Sequence, residues 1–351
     1  MSVTSKSPRR VAAVALEVAR EKLPAYSHRC SPKVFTQHQL FACLVLKSFW
    51  KTDYRGLAAQ LADNPSLVEL LGLKRVPHYT TLQKAARRLL TAAHVRALVD
   101  GTVRRHFGRR RRVARSAIDS TGLDCSSASG YFVRRRERVG SPWKTVVYRH
   151  FAKLSVVCDV DSHFILAFRD RRGPQPDISD FQPLVAEAVM RVRLCQIVAD
   201  AGYDSEANHR FARQECRIRT IIPPKHGRPT TKPARGHYRR LMQTRFDDAA
   251  YKERVQVETV VSMVKRRLEG YVRGHGCWSQ RRELRLKVLT HNIMILLCIE
   301  VFYRARQVRF FRTARRWRLE STQRTLSSPR KHGRRIEEAS GPTSGRTFEP
   351  L

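Results

Sequence analysis

The chain has 351 residues, of which 69 are Lys or Arg and 30 are Asp or Glu, leaving a formal charge of +39. Such an excess repels itself inside a compact fold and calls for a polyanionic partner, nucleic acid first among them. A 42% apolar content supplies a true core and excludes a wholly disordered basic tail.

Helices come first. Thr36-x-x-Gln39 and Thr80-x-x-Gln83 both read as capping boxes, each opening an amphipathic run. Between them Asp53 can cap Tyr54 to Leu61, Asn64-Pro65 breaks the chain, and Ser66 to Leu73 forms a short helix. The helix near Thr80 carries Thr81, Lys84, Arg87 and Arg88, which suits either a helix-turn-helix reader or an ordinary helical bundle. Residues 1–110 are therefore expected to be an all-helical, DNA-binding domain.

From residue 116 strands alternate with helices. Ser116 to Ser120 is a short apolar strand, and Leu154 to Val160 with His163 to Phe168 form a hairpin around Asp161-Ser162. Asp180 opens a helix, Leu194 to Ala199 is a strand, Ser205 to Glu215 is helical, and Arg217 to Ile222 is a fifth strand stopped by Pro223-Pro224. A basic loop over 223–248 leads to a helix from Asp248 to Glu269, which Gly270 closes. The order predicts an α/β fold, a mixed sheet flanked by helices, over 111–306, followed by a basic, disordered tail over 307–351. Val288 to Tyr303 reads as a buried helix, because it falls short of the ~20 apolar residues of a membrane span.

The eight cysteines show no zinc-ligand spacing, and Cys43, Cys158, Cys195 and Cys298 sit in apolar runs as buried thiols. No signal peptide is evident, so a cytoplasmic, nucleoid-associated protein is expected.

Two carboxylates end apolar strands: Asp119 after Ala117-Ile118, and Asp200 after Ile197-Val198-Ala199. Sites in open α/β sheets form at the carboxyl ends of strands, so the two converge if their strands are neighbours. A structural Asp at a strand end is also common. The third acid is Glu258, on a helix whose periodicity gathers Tyr251, Arg254, Glu258 and Lys265 on one face beside the apolar Val257, Val261, Val264 and Leu268. Asp124, Asp159, Asp161, Asp180 and Asp204 read as turn, hairpin or capping residues. His275 and Cys277 read as a loop.

The spacing Y-x2-R-x3-E-x6-K, filled by Tyr251, Arg254, Glu258 and Lys265, resembles the signature of the DDE transposases of bacterial and archaeal insertion sequences. AIDSTG around Asp119 and VADAGYDSE around Asp200 resemble the two aspartate regions of that family, in the same order, over roughly residues 110 to 300. The resemblance implies an RNase H-like catalytic domain with a metal-binding triad of Asp119, Asp200 and Glu258. Hard cations such as Mg2+, with Mn2+ as a substitute, take oxygen ligands, and two of them about 4 Å apart assist displacement at phosphorus. Arg254 and Lys265 would hold a phosphate near the metals, and Tyr251 would touch the DNA end. Arginines at 104, 105, 109–112 and 115, with Arg134 and Arg135 after the first strand, place positive charge around Asp119, and Lys225 and Arg228 sit in the basic loop.

The implied activity is binding of terminal inverted repeats, hydrolysis that exposes a 3′-hydroxyl, and transfer of that hydroxyl to target DNA by a homodimer on paired ends. No covalent intermediate, membrane or small-molecule substrate is implied. A metal nuclease without strand transfer and an inactive DNA-binding relic are the alternatives.

Overall fold

The computed structural model describes residues 6–108, 111–125, 151–225 and 234–297, all within the unit Met1–Val301. Six helices come first: α1 (Pro8–Lys22), α2 (Gln37–Phe49), α3 (Tyr54–Ala62), α4 (Pro65–Leu70), α5 (Tyr79–Leu89) and α6 (Ala92–Phe107). Local chemistry sets their starts. Ser7 caps α1 ahead of Pro8, a residue suited to a first helical position because it lacks the N–H that would go unbonded there. Thr36 and Gln39 close the expected capping box on α2, and Asp53 accepts from the Gly56 amide at α3.

The second expected capping box does not form. α5 starts at Tyr79 after an uncapped His78, because the Thr80 hydroxyl is bonded to His78 Nδ1 at 2.8 Å rather than to the helix amides. α4 is also shorter than expected, ending at Leu70.

Strands β1 (Arg112–Val113), β2 (Ser116–Cys125), β3 (Ala152–Asp159) and β4 (Ile165–Arg172) precede helix α7 (Phe181–Val189), and β5 (Arg193–Leu194) and β6 (Gln196–Val198) follow it. Then come α8 (Glu206–Arg210), continued as a π turn over Phe211–Glu215, and β7 (Arg219–Ile221). α9 (His237–Thr244) stands in the segment expected to be loop. α10 (Asp248–Tyr251), a 3-10 turn (Lys252–Arg254), α11 (Val255–Leu268) and β8 (Tyr271–Val272) lead to α12, a helix over 277–297. Cys277 therefore begins a helix rather than a loop.

The main sheet runs β4-β3-β2-β6-β7, with β8 paired to the far end of β2. β2, β3 and β4 form an antiparallel meander, whereas β6 and β7 run parallel to β2. The fold is thus a mixed sheet with helices packed on it, as the alternation of strands and helices predicts. All eight residues of β3 are buried, which fits its place between two antiparallel neighbours under helices. β2 is twice as long as the apolar run suggests: its polar half, Ser120 to Cys125, is held by pairing with β3 and β8 rather than by its own hydrophobicity.

α12 ties the helices to the sheet. Arg285 donates to the Leu90 carbonyl at 2.8 Å, and Asn292 bonds both the amide and the carbonyl of Ile165 at 3.0 and 2.9 Å. These bonds explain why polar residues interrupt an otherwise apolar helix: a buried sheet edge needs backbone partners. Among the described residues no helix is long and apolar enough to cross a membrane. Cys43 and Cys158 are buried, but Cys195 is only partly so and accepts from Arg112 Nε at 3.2 Å.

Candidate active site

Parallel pairing of β2 with β6 matches Ala117 to Val198. Asp119 and Asp200 each lie two residues past that pair, so they leave two adjacent parallel strands at the same level. Asp119 stands inside β2, at the point where β6 ends beside it, rather than at the end of its own strand. Asp200 turns out of β6 into a 3-10 turn and accepts from the Gly202 amide at 2.9 Å. Glycine leaves the carboxylate room there, since a Cβ would stand 3.0 Å from Asp200 Oδ1 and press on it.

Glu258 comes from α11, whose buried stripe of Val257, Val260, Val264 and Leu268 packs toward β2 and β3. The helix is not continuous with Tyr251 as its periodicity suggests: Tyr251 closes α10, Arg254 lies in the 3-10 turn, and only Glu258 and Lys265 belong to α11. Arg254 still pairs with Glu258 across one turn, Nη2 to Oε1 at 2.5 Å. Tyr251 packs on Phe246 with ring centroids 5.1 Å apart. Lys265 sits about 10 Å along the helix from Glu258 at 1.5 Å per residue.

Electrostatics join the three acids. Burial pushes the Asp119 carboxyl up to about 6; Asp200 and Glu258 add to the rise, and the Ser120 amide and Arg254 oppose it. Arg254 in turn, against a burial that opposes its charge, is held protonated by Glu258, Tyr251 and Asp119. Each carboxylate meanwhile has a local partner: the Ser120 amide for Asp119, the Gly202 amide for Asp200, and Arg254 for Glu258. Among the described residues no three His, Cys, Asp or Glu side chains are gathered closely enough to hold a metal ion as they stand. The three acids are electrostatic neighbours, then, without being a closed ligand cluster. Their chemistry still fits a hard divalent cation: oxygen donors only, on neighbouring elements, with Asp200 and Glu258 raising the proton affinity of Asp119 where a cation would lower it.

Behind Asp119, on the other face of the sheet, lies a polar network that the sequence reading passed over. Ser120 donates to Asp177, buried Lys153 bridges Asp177 at 2.6 Å and Asp180 at 3.6 Å, and Asp180 also takes Ser155 at 2.9 Å and Arg171 at 2.8 Å. Asp180 is fully buried in that network and makes no side-chain bond to the helix it was expected to cap. The signal was present: Lys153 and Ser155 are polar at alternate positions of an apolar strand, the mark of one polar face.

Asp204 likewise caps nothing, since Ser205 does so. Although burial opposes its ionisation, His209, Arg239 and the Lys225 amide hold Asp204 below the usual carboxylate range. Lys225 is thereby fixed at its backbone while its side chain is exposed. Of the basic run before β2, Arg104 and Arg105 are paired with Asp100, Glu17 and Glu21, and Arg115 with Glu253 and Asp161, so these charges brace the fold. Arg134, Arg135 and Arg228 lie outside the described residues.

The sequence model of the transposase DDE domain matches residues 99–294, more than half of the chain. The chain belongs to the transposase DDE domain family. Its matched segment begins within α6 and ends within α12, and so takes in Asp119, Asp200 and Glu258. Among solved structures this transposase is similar to the cryo-EM piggyBac transposase synaptic complex with hairpin DNA, at 11% identity and a TM-score of 0.36, over 81% of this chain and 72% of that one. That likeness is too weak to carry an argument. No curated protein matches the chain.

Proposed function

We propose that this transposase cleaves DNA at the ends of its own element and joins the exposed 3′-hydroxyls to target DNA, through a metal site built by Asp119, Asp200 and Glu258. The observation that carries the reading is the level placement of Asp119 and Asp200 on adjacent parallel strands, with Glu258 adding to the same rise in proton affinity. The strand order, an antiparallel meander extended by two parallel strands, supports an RNase H-like reading of the sheet.

Divalent metal, with Mg2+ the expected ion and Mn2+ its substitute, would supply activation of the attacking oxygen and stabilisation of the leaving one. The three carboxylates would hold it. Arg254, once it shares Glu258 with the cation, presents a guanidinium suited to a phosphate in two-point contact. Lys265, about two turns on, adds a second positive charge along the same helix, and Tyr251 lies close enough to Arg254 to favour its charge. The three acids would serve as metal ligands and supply no Ser or Tyr nucleophile of their own, so hydrolysis and strand transfer would both use an oxygen from water or DNA. Two chains would pair the two ends, and the terminal inverted repeats would be bound in part by the N-terminal helices.

The test is Asp119→Ala, Asp200→Ala and Glu258→Ala, each assayed for Mg2+-dependent cleavage of end-containing DNA and for binding of the same DNA. Cleavage should vanish in each and binding persist; full cleavage by any one of the three refutes the triad. Pre-cleaved ends mixed with a plasmid target then separate transposition, which gives joined product, from a plain nuclease, which gives none.

A further inference from the structure

The outer edge of β4 carries a groove that none of the residues discussed so far explains. A cavity of about 420 Å3 is lined by Arg96 of α6, Arg169, Asp170 and Arg172 of β4, and Arg281 and Arg285 of α12. A second cavity of about 490 Å3 continues it past α7 and shares Arg96 and Arg169 with the first.

The acids of the groove are already committed. Asp170 takes Arg281 at 2.8 Å and Arg285 at 3.0 Å, and Glu187 takes Arg191 at 2.8 Å. Arg171, beside them, is bound to Asp180. Among the described residues Arg96, Arg169 and Arg172 have no acidic partner within ion-pair distance, and the buried Nε of Arg169 has no hydrogen-bond partner at all. Three guanidinium groups without counter-charge on one concave strip repel one another unless an anion joins them.

Position says which anion. Phe168, at one end of the groove, pairs with Val156, and Val156 with Asp119, so that end is level with Asp119 along the sheet, and Arg172 lies four residues, about 13 Å, further on. β4 is two strands from β2, roughly 10 Å at the usual inter-strand spacing. A duplex presents a charge for about every 1.7 Å of its axis, so one bound at Asp119 carries phosphates far enough to reach an edge that close. The continuity of the two cavities suits a chain of phosphates better than one small anion. We propose that the β4 edge groove is a DNA phosphate-backbone clamp, with Arg96, Arg169 and Arg172 as its contacts. It rests on the reading of the chain as an enzyme acting on DNA.

Arg96 and Arg172 are both exposed, so their replacement leaves the core intact. Full-length Arg96→Ala/Arg172→Ala is compared with wild type by anisotropy on a 30-base-pair duplex between 50 and 200 mM salt. Two lost phosphate contacts should lower the slope of log affinity against log salt by about 2, and weaken binding on the order of 50-fold at 0.1 M salt. The Arg→Lys pair at the same positions keeps the charge and should restore most of both. A slope unchanged in the Ala pair overturns the clamp while leaving the family reading intact. Wild-type protein that binds no duplex overturns both. Inorganic pyrophosphate that raises the wild-type melting temperature but not that of the Ala pair, with unchanged duplex slopes, would make the groove a small-anion site and also overturn the clamp.

Discussion

Replacing Asp119 by Asn should make the metal-free protein more stable at neutral pH. In the folded state burial, with Asp200 and Glu258 alongside, lifts its carboxyl from 3.8 to about 6. A raised acid pKa means that the unfolded chain ionises first. The penalty is therefore absent below about pH 4, grows between 4 and 6, and is constant above. At 1.36 kcal/mol per unit the ceiling is about 3 kcal/mol, and discounting for the partial exposure of Asp119 leaves about 1.5 to 3. Asn keeps the oxygen that accepts from the Ser120 amide at 2.8 Å, so no bond is lost in exchange. At a few degrees per kcal/mol the melting temperature should rise by roughly 3 to 10 °C at pH 8 without metal, and hardly at all near pH 4. Mg2+ should raise the wild-type melting point at pH 8 and leave the variant nearly unmoved. A variant that melts at or below wild type at pH 8, or that gains equally at pH 4, would show that burial and the neighbouring acids do not penalise the Asp119 carboxylate.

Arg254→Gln removes an attraction that holds Asp119 down; the acid limb of the cleavage–pH profile should move upward, with Arg254→Lys in between, and an unmoved limb contradicts the coupling. Asp180→Ala strips a fully buried carboxylate from Lys153 and Arg171, which should cost about 3 to 5 kcal/mol in urea unfolding; a loss below 1 would mean the network contributes little. Thr36→Ala should lose about 1 kcal/mol as a helix cap. Gln39→Ala should lose more, because the same side chain also donates to the carbonyls of Leu71 and Gly72 at 3.1 and 2.7 Å; equal losses would count against those bonds.

The elements whose signals are local were the ones readable from sequence. Thr36 with Gln39, and Asp53, act over four residues or fewer, and α2 and α3 begin where those residues say, whereas Pro65, read as a break, opens α4. The outer half of β2 was not readable, because Ser120 to Cys125 has no apolar alternation and becomes a strand only through β3 and β8, which are distant in sequence. The stop of α11 was missed by one residue for the same reason. Glu269, not Gly270, takes the positive φ of 71°. A buried lysine eighteen residues on, Lys287, donates to the carbonyls of Leu268 and Glu269, and Arg273 pairs with the Glu269 carboxylate at 2.5 Å. Tertiary partners thus stabilise a conformation that glycine would adopt unaided.

For the candidate site, residue type and spacing single out Asp119, Asp200 and Glu258, but not the contacts each of them makes. One of those contacts is Arg254. It pairs with Glu258 while also lowering the proton affinity of Asp119, so a single guanidinium offsets two of the three acids. The pairing offsets the charge of Glu258 beside the buried Asp119. A cation that binds Asp119 and Asp200 would compete with Arg254 for Glu258, and the displaced guanidinium would then be free for phosphate. Metal binding and phosphate binding should accordingly strengthen each other through this one side chain, a coupling that composition and spacing have no means of expressing.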